Sequence, residues 1–300
     1  MAVNGDAVVD KPVWFITGCS TGFGREIART VLERGYRAVV TARNPDDVRD
    51  LINMGDALIL KLDVTDQSQV DAAVKAAEDK YGHLDVLVNN AGVGYFAAVE
   101  ESEENQVRRM FDVNVFGLGR MIHAVLPGMR RRHNSTIVNI SSIAGLRGIP
   151  GIGYYCATKF AVEGLSDTLR QEVEPLGIKV MLVEPSGFRT DFAGRSGTES
   201  KLQIPDYAAT AGKMRASLAA MSGHQEGDPV RAASAIVQAV ESPNPPKRLL
   251  LGNAAYDGAT AMLEDLHKDF VAWETVSRGA DFPEAEQEQP AATPKVMRAP

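Results

Sequence analysis

Tyr155 and Lys159 are the residues whose types and spacing most directly allow chemistry. They lie four positions apart in a segment that reads as a helix, so the two side chains share one face. A free tyrosine titrates near about 10, too high for a base at neutral pH. A nearby ammonium favours the phenolate. Lowering the phenol by about 3 units takes about 4 kcal/mol. A tyrosine adjusted in this way can exchange a proton with an alcohol or a carbonyl oxygen. The same spacing also fits a tyrosine that only packs a helix edge.

A second group lies near the N-terminus. The apolar run 14–17 leads into Gly18-Cys19-Ser20-Thr21-Gly22-Phe23-Gly24, and a helical pattern follows at once. Gly18, Gly22 and Gly24 permit a tight turn and remove side chains where a pyrophosphate would approach. The N–H groups of the helix start would face that anion. Ser20, Thr21 and Phe23 complete the cofactor-facing turn. The spacing is G-x-x-x-G-x-G, with the strand before and helix after that a dinucleotide site requires. Residues 18–22 also spell G-x-S-x-G, the nucleophile elbow of serine hydrolases, which makes Ser20 a competing candidate. Such elbows normally follow several strands, and nothing places His224 or His267, with Asp191 or Asp265, near Ser20.

These groups need a scaffold. Short Val/Ile/Leu-dense runs at 14–17, 38–42, 58–62, 86–89, 137–140, 179–183 and 249–251 lack polar alternation. That is the pattern of strands buried on both faces of a parallel sheet. Helical segments separate them at 23–34, 68–80, 103–132, 155–174 and 229–241. The third carries three glycines and Pro127 and is expected to bend or break there. The expected fold is an α/β, Rossmann-type, doubly wound domain: a seven-stranded parallel sheet with helices on both faces. One domain is expected over 1–281, with a substrate loop at about 186–227 that has little strand pattern. The last 19 residues, 282–300, hold four prolines and three glutamates and read as poorly ordered.

Composition removes other classes. With 44% hydrophobic residues the whole chain is not disordered, and two cysteines, Cys19 and Cys156, make no disulfide scaffold. A net charge of −7 argues against a nucleic-acid partner. No stretch approaches a membrane span, residues 1–11 carry no secretory pattern, and no metal-ligand spacing appears. A cytoplasmic enzyme is expected.

Several ordered motifs together resemble the short-chain dehydrogenase/reductase family, in its compact branch of about 250 residues. They are residues 17–24, Asp63, Asn89-Asn90-Ala91-Gly92, Asn114, Ser142, Tyr155-x-x-x-Lys159, and 185–190, and the resemblance covers 12–252. In style the chain is similar to the retinol and 17β-hydroxysteroid dehydrogenases and the carbonyl reductases. The resemblance implies that Ser142, thirteen residues before Tyr155, bonds the substrate oxygen. It implies that Tyr155 is the acid/base and that Lys159 binds the nicotinamide ribose and lowers the tyrosine pKa. Asn114 would hold a water that relays protons to Lys159. Asp63, with Val64, would meet the adenine, while Asn90, Ala91 and Gly92 would line the cofactor through their backbone. Pro185, Gly187, Phe188 and Thr190 would contact the carboxamide, although the family's Pro-Gly is here Pro185-Ser186-Gly187. Homodimers or homotetramers are common in the family.

The end of the second strand carries Arg43 and no carboxylate. An acidic residue there would bind the ribose hydroxyls of NAD(H), whereas a guanidinium suits the 2′-phosphate of NADP(H). Arg25 is a weaker candidate. The walls expected around Tyr155, namely 94–96, 143–146, Tyr154 and 187–221, are mostly apolar. The expectation is an NADP(H)-dependent oxidoreductase acting on a bulky, apolar ketone or secondary alcohol, mainly as a ketone reductase. The alternatives are an NAD-dependent alcohol dehydrogenase, the Ser20 hydrolase, and an inactive cofactor sensor.

Overall fold

The computed structural model describes residues 11–283; beyond Pro283, the tail expected to be poorly ordered lies outside the described residues. Contacts divide the chain into a compact unit Met1–Ala259 and a second one Thr260–Pro300, a boundary inside the span 1–281 expected for one domain.

The sheet contains β1 (Val13–Ile16), β2 (Arg37–Ala42), β3 (Ala57–Lys61), β4 (Val86–Asn89), β6 (Ser135–Ile140), β7 (Ile178–Pro185) and β9 (Arg248–Leu251). A separate two-stranded sheet pairs β5 (Gly94–Phe96) with β8 (Gly197–Glu199). The seven main strands are parallel, as expected, and run in the order β3-β2-β1-β4-β6-β7-β9. β8 puts a short strand into the insertion 186–227, expected to show little strand pattern, and sets Thr198 opposite Tyr95.

The absence of polar alternation in the strands has a simple cause. Along β1, Trp14 and Ile16 enter one core while Val13 and Phe15 enter the other, and all four are buried. The first core is closed by α1 (Gly22–Glu33) and α7 (Pro229–Glu241). The second is closed by α2 (Gln67–Tyr81), α4 (Leu118–Arg132) and α5 (Gly153–Val173).

The long helical segment runs unbroken, and its irregularity lies away from Pro127. α3 (Glu104–Phe111) passes through a π-helical turn, Asp112–Gly117, into α4, and Pro127 stays inside α4. Gly117 allows close packing there, since a Cβ would lie 2.6 Å from Val64 Cγ2. α6 (Lys213–Met221), α8 (Asn253–Ala272) and α9 (Glu274–Arg278) complete the described helices. Among the described residues no helix is long and apolar enough to cross a membrane.

After β1 the chain builds outward through β2 and β3, then crosses to β4 on the other side of β1. A reversal of this kind opens a crevice at the carboxyl ends of the strands, where ligands of open α/β sheets bind.

Candidate active site

The glycine turn sits at that crevice. Gly18 has φ +70°, in the left-handed region that disfavours side chains. A Cβ at Gly24 would overlap Asn90 Nδ2 and Gly18 O, so only glycine lets the helix start approach the turn. Thr21, the N-cap of α1, makes no side-chain cap bond, and no acidic residue occupies the first turn. An uncapped helix start beside a cradle without side chains fits a dinucleotide pyrophosphate.

The turn is clamped from β4. Asn90 Nδ2 donates to Thr17 O at 2.9 Å and to Gly18 O at 3.0 Å. Thr17 Oγ1 accepts from the backbone N–H groups of Asn90 and Ala91, each at 3.0 Å. Those N–H groups are therefore committed to Thr17, and the Asn90 amide holds the cradle; neither role could be read from glycine spacing. Asn89 is structural: its Nδ2 donates to Asn139 Oδ1 at 2.9 Å, and Asn139 Nδ2 donates to Ser166 Oγ at 2.8 Å. Cys19 is fully buried, and burial pushes its thiol up to about 12, so it packs and does not ionise.

Ser142, Tyr155 and Lys159 come together at the ends of β6 and the start of α5. Ser142 leaves β6, caps the turn Ile143–Gly145 by accepting from Ala144 N at 3.1 Å, and turns its hydroxyl to the Tyr155 phenol. Lys159 Nζ donates to Ile140 O at 2.8 Å. Burial pulls the Lys159 pKa down to about 8, against a smaller upward push from Glu163. In the chain alone the Tyr155 phenol sits above its ordinary range. Burial raises it, the Ser142 hydroxyl draws it back in part, and the Cys156 thiol adds a small push upward. The Lys159 ammonium, 5.6 Å from the ring centroid, does not overcome that desolvation. Lowering this phenol takes positive charge brought by whatever binds beside it.

Asn114 lies in the π-helical turn. Its Oδ1 accepts from Val93 N at 2.9 Å, and its Nδ2 donates to Val93 O at 2.9 Å and to Thr158 Oγ1 at 3.2 Å. Its amide thus ties the chain after β4, beside Gly92, to the helix turn that carries Lys159. π-turns commonly mark functional sites.

At the adenosine end, Arg43 is exposed and, among the described residues, has no hydrogen bond or ion pair. Arg25 is engaged, donating to Asp47 O at 3.1 Å and pairing with Asp50. Asp63 Oδ1 accepts from Thr65 N at 3.0 Å and Thr65 Oγ1 at 2.7 Å, while Asp66 is the cap of α2. Val64 is buried against Gly117.

The chain after Pro185 folds over the turn. Ser186 N donates to Leu251 O at 3.0 Å, and Gly187 O accepts from Gly227 N at 3.2 Å. Phe188 meets Phe23 edge to face at 5.0 Å. A Cβ at Gly22 would come within 3.3 Å of Thr190 Cβ. Phe192 then covers Tyr155, ring centroids 5.0 Å apart, and meets Phe96 at 5.9 Å. With Tyr95, Ala144 and Ile152 these rings pack an apolar cluster around the phenol.

One anchor escaped the sequence. Glu101, before α3, and Arg215 of α6 form a buried ion pair across 114 positions. Glu101 Oε1 also accepts from Ile204 N at 2.9 Å, and its backbone O accepts from Ser200 Oγ at 2.7 Å. Arg215 beside it holds the Glu101 carboxyl down to about 2. Ser20, by contrast, has no hydrogen-bond partner among the described residues, so no base activates it.

Known proteins share this architecture. A family model described as short chain dehydrogenase matches residues 12–201. A 3-ketodihydrosphingosine reductase from Bacteroides thetaiotaomicron is 40% identical over 240 residues, 79% of this chain and 86% of that protein. The crystal structure of a short-chain dehydrogenase from Streptomyces avermitilis superposes with TM-score 0.86 at 41% identity, covering 91% of this chain and all of that one. An alcohol dehydrogenase from Thermococcus sibiricus, solved with 5-hydroxy-NADP, superposes with TM-score 0.67 at 27% identity, covering 80% of this chain and 96% of that one.

Proposed function

The chain belongs to the short-chain dehydrogenase family, and from that premise we propose that it reduces a bulky, apolar ketone at the expense of NADPH. Family membership makes it an NAD(P)-dependent oxidoreductase. The observation that carries the finer reading is the setting of Tyr155: a phenol enclosed by Phe192, Phe96 and Ala144, with the Ser142 hydroxyl turned to it.

A bound nicotinamide supplies the hydride. Ser142 and Tyr155 present two hydroxyls to the substrate oxygen and orient its carbon. Burial keeps the Tyr155 phenol protonated at neutral pH, the state that gives a proton to an oxygen receiving hydride. Lys159 supplies positive charge behind the phenol as that proton leaves, and Asn114 fixes the turn of α5 beside it. The aromatic cover excludes water from the reacting carbonyl.

The apolar substrate class is supported by the residues packed around the phenol, Tyr95, Phe96, Ala144, Ile152 and Phe192. Arg189 Nε donates to Gln225 O at 2.6 Å, Arg195 lies 3.6 Å from Asp191, and Arg147 is exposed. The named activity of the 3-ketodihydrosphingosine reductase, a ketone reduction on a long apolar chain, supports the same class. For the cofactor, the uncommitted Arg43 supports NADP(H) over NAD(H). Exposed Phe116 and Phe160, on the π-turn and α5, support a homodimer or homotetramer.

The test is a titration of the purified chain with NADPH and with NADH, repeated on Arg43→Ala. NADPH is expected to bind much more tightly, and the variant to lose that preference. Tighter NADH binding would reverse the cofactor assignment and favour alcohol oxidation. Binding of neither would end the reading. NADPH consumption with 3-ketodihydrosphingosine, set against pyruvate, then tests the preference for apolar ketones.

A further inference from the structure

Arg25 is the fourth residue of α1 and directly follows Gly24 of the cradle. The positive end of the helix dipole disfavours a cation this close to a helix start. An anion from outside the helix offsets that cost. The guanidinium reaches across to the 3₁₀ segment Pro45–Met54, which begins two residues after Arg43. There Arg25 Nη1 donates to Asp47 O at 3.1 Å, and Nη2 pairs with Asp50 Oδ2. The arginine side chain is 25% exposed and its carboxylate partner 60%, so the cation is the more enclosed of the two.

The segment carries three aspartates, and their partners divide cleanly. Asp46 pairs with Arg49, and Asp47 Oδ1 accepts from Asn44 Nδ2 at 3.2 Å. Asp50 is the carboxylate on Arg25. The strand end that leads into Arg43 is tied to the glycine turn, since Thr41 O accepts from Cys19 N at 2.8 Å. Two arginines of unequal state therefore stand at the adenosine end of the crevice. Arg43 is uncommitted, whereas Arg25 is committed to a carboxylate that lies mostly in water. An ion pair so exposed is weak, and a charge-assisted bond from a guanidinium to phosphate is strong.

We propose that Asp50 is a latch on Arg25: it holds the guanidinium in reserve in the chain alone, and the 2′-phosphate of NADP(H) takes it over, making Arg25 a second phosphate ligand beside Arg43. The proposal rests on the NADP(H) reading given above. A neutral 2′-hydroxyl carries no charge to compete with Asp50, so with NAD(H) the pair stays closed. The latch thereby adds to the discrimination between the two cofactors, and Asp50 sets how much affinity the takeover yields.

The probes are adenosine 2′,5′-bisphosphate and adenosine 5′-monophosphate, which differ only in the 2′-phosphate, each titrated calorimetrically into the full-length protein. Arg25→Met should weaken the bisphosphate about tenfold and leave the monophosphate unchanged. Asp50→Asn should tighten the bisphosphate about threefold, again with the monophosphate unchanged. A carboxylate could also repel the phosphate directly, so the double variant decides: in the Arg25→Met background, Asp50→Asn should give no gain. A gain that persists there means direct repulsion and overturns the latch. An Arg25→Met variant that binds the bisphosphate like the parent overturns it as well. Weakening of both nucleotides by either single change would mean that the pair only braces the crevice wall, which also overturns it. A parent protein that binds the two nucleotides equally ends the NADP(H) reading itself. A parent that prefers the bisphosphate, loses that preference in Arg43→Ala and keeps it unmoved in the Arg25 and Asp50 variants ends the latch alone.

Discussion

The glycine turn at 17–24 and the insertion at 186–227 are built by different means. The turn is backbone held by backbone and by two polar side chains, Thr17 and Asn90, none of them charged. The insertion is held by the buried Glu101–Arg215 pair and by rings on rings. The first construction is indifferent to pH and intolerant of added atoms. The second depends on a buried charge pair. The difference teaches that cofactor grip and substrate cover are separately breakable, although both close on the same crevice.

The largest effect should come from a change that leaves both regions intact. Tyr155→Phe keeps the ring that packs on Phe192 and removes only the phenol. Turnover should fall by about 10²–10⁴-fold, the usual contribution of a positioned acid, while NADPH affinity and melting temperature stay put. Steady-state kinetics beside a binding titration would show it. Ketone reduction that survives the change would mean that Tyr155 is not the proton donor. An inactive sensor would show no change at all in its regulatory output.

Next comes the charge pair. Arg215→Met strands a buried carboxylate, and breaking such a pair costs about 3–5 kcal/mol. The loss should appear in urea unfolding and as protease cleavage within 186–227, with NADPH affinity nearly unchanged. If NADPH binding collapses in parallel, the two regions are not separable. Acid offers the same test without mutation. Arg215 holds Glu101 below its unfolded value, so this contribution is complete above the ordinary carboxylate range and disappears as pH falls toward about 2. Increased cleavage of the insertion should follow that window, and Glu101→Gln should abolish the dependence.

Gly24→Ala is the converse. The added Cβ must displace Asn90 Nδ2 and the backbone O of Gly18. Overpacking of this kind costs about 1–3 kcal/mol, or about 5–150-fold in NADPH affinity. Protease resistance of the insertion should be unchanged. Retained affinity would show that the Asn90 clamp can yield.

The same contrast governs what the sequence disclosed. Seven strands were legible because a sheet covered on both faces is written as unbroken Val, Ile and Leu. The turn was legible because glycine is required at fixed spacing by local geometry. Tyr155 and Lys159 were legible because one helix face holds both. Long-range partners leave no such mark: Glu101 and Arg215 are 114 positions apart, and Glu163 and Arg248 are 85 apart. β5 and β8 span three residues each, too short for any periodicity to register. The helix Asn253–Ala272 was missed because its apolar residues are largely on the outside: Tyr256 is exposed. The direction of the Tyr155 shift was also beyond reach, because it depends on how completely Phe192, from a segment without sequence pattern, seals the phenol.

Phe192→Ala tests that seal and should have the smallest effect on stability. The ring makes two aromatic contacts, each worth about 0.5–1.5 kcal/mol, at the edge of a chamber that otherwise stays packed. Its removal admits water to Tyr155 and relieves the desolvation that raises the phenol, so the tyrosine should titrate closer to its ordinary range. For a reductase this is a loss, because a weaker hold on the proton shifts the alkaline limb, where turnover falls as the donor deprotonates, to lower pH. KM for an apolar ketone should rise as its contact surface shrinks. A pH–rate profile with a matched pair of ketones, long-chain and short, separates the two effects: the profile shifts for both, and KM rises mainly for the long one. An unshifted profile would mean that burial of Tyr155 comes from Phe96 and Ala144, leaving Phe192 as a wall of the substrate chamber only.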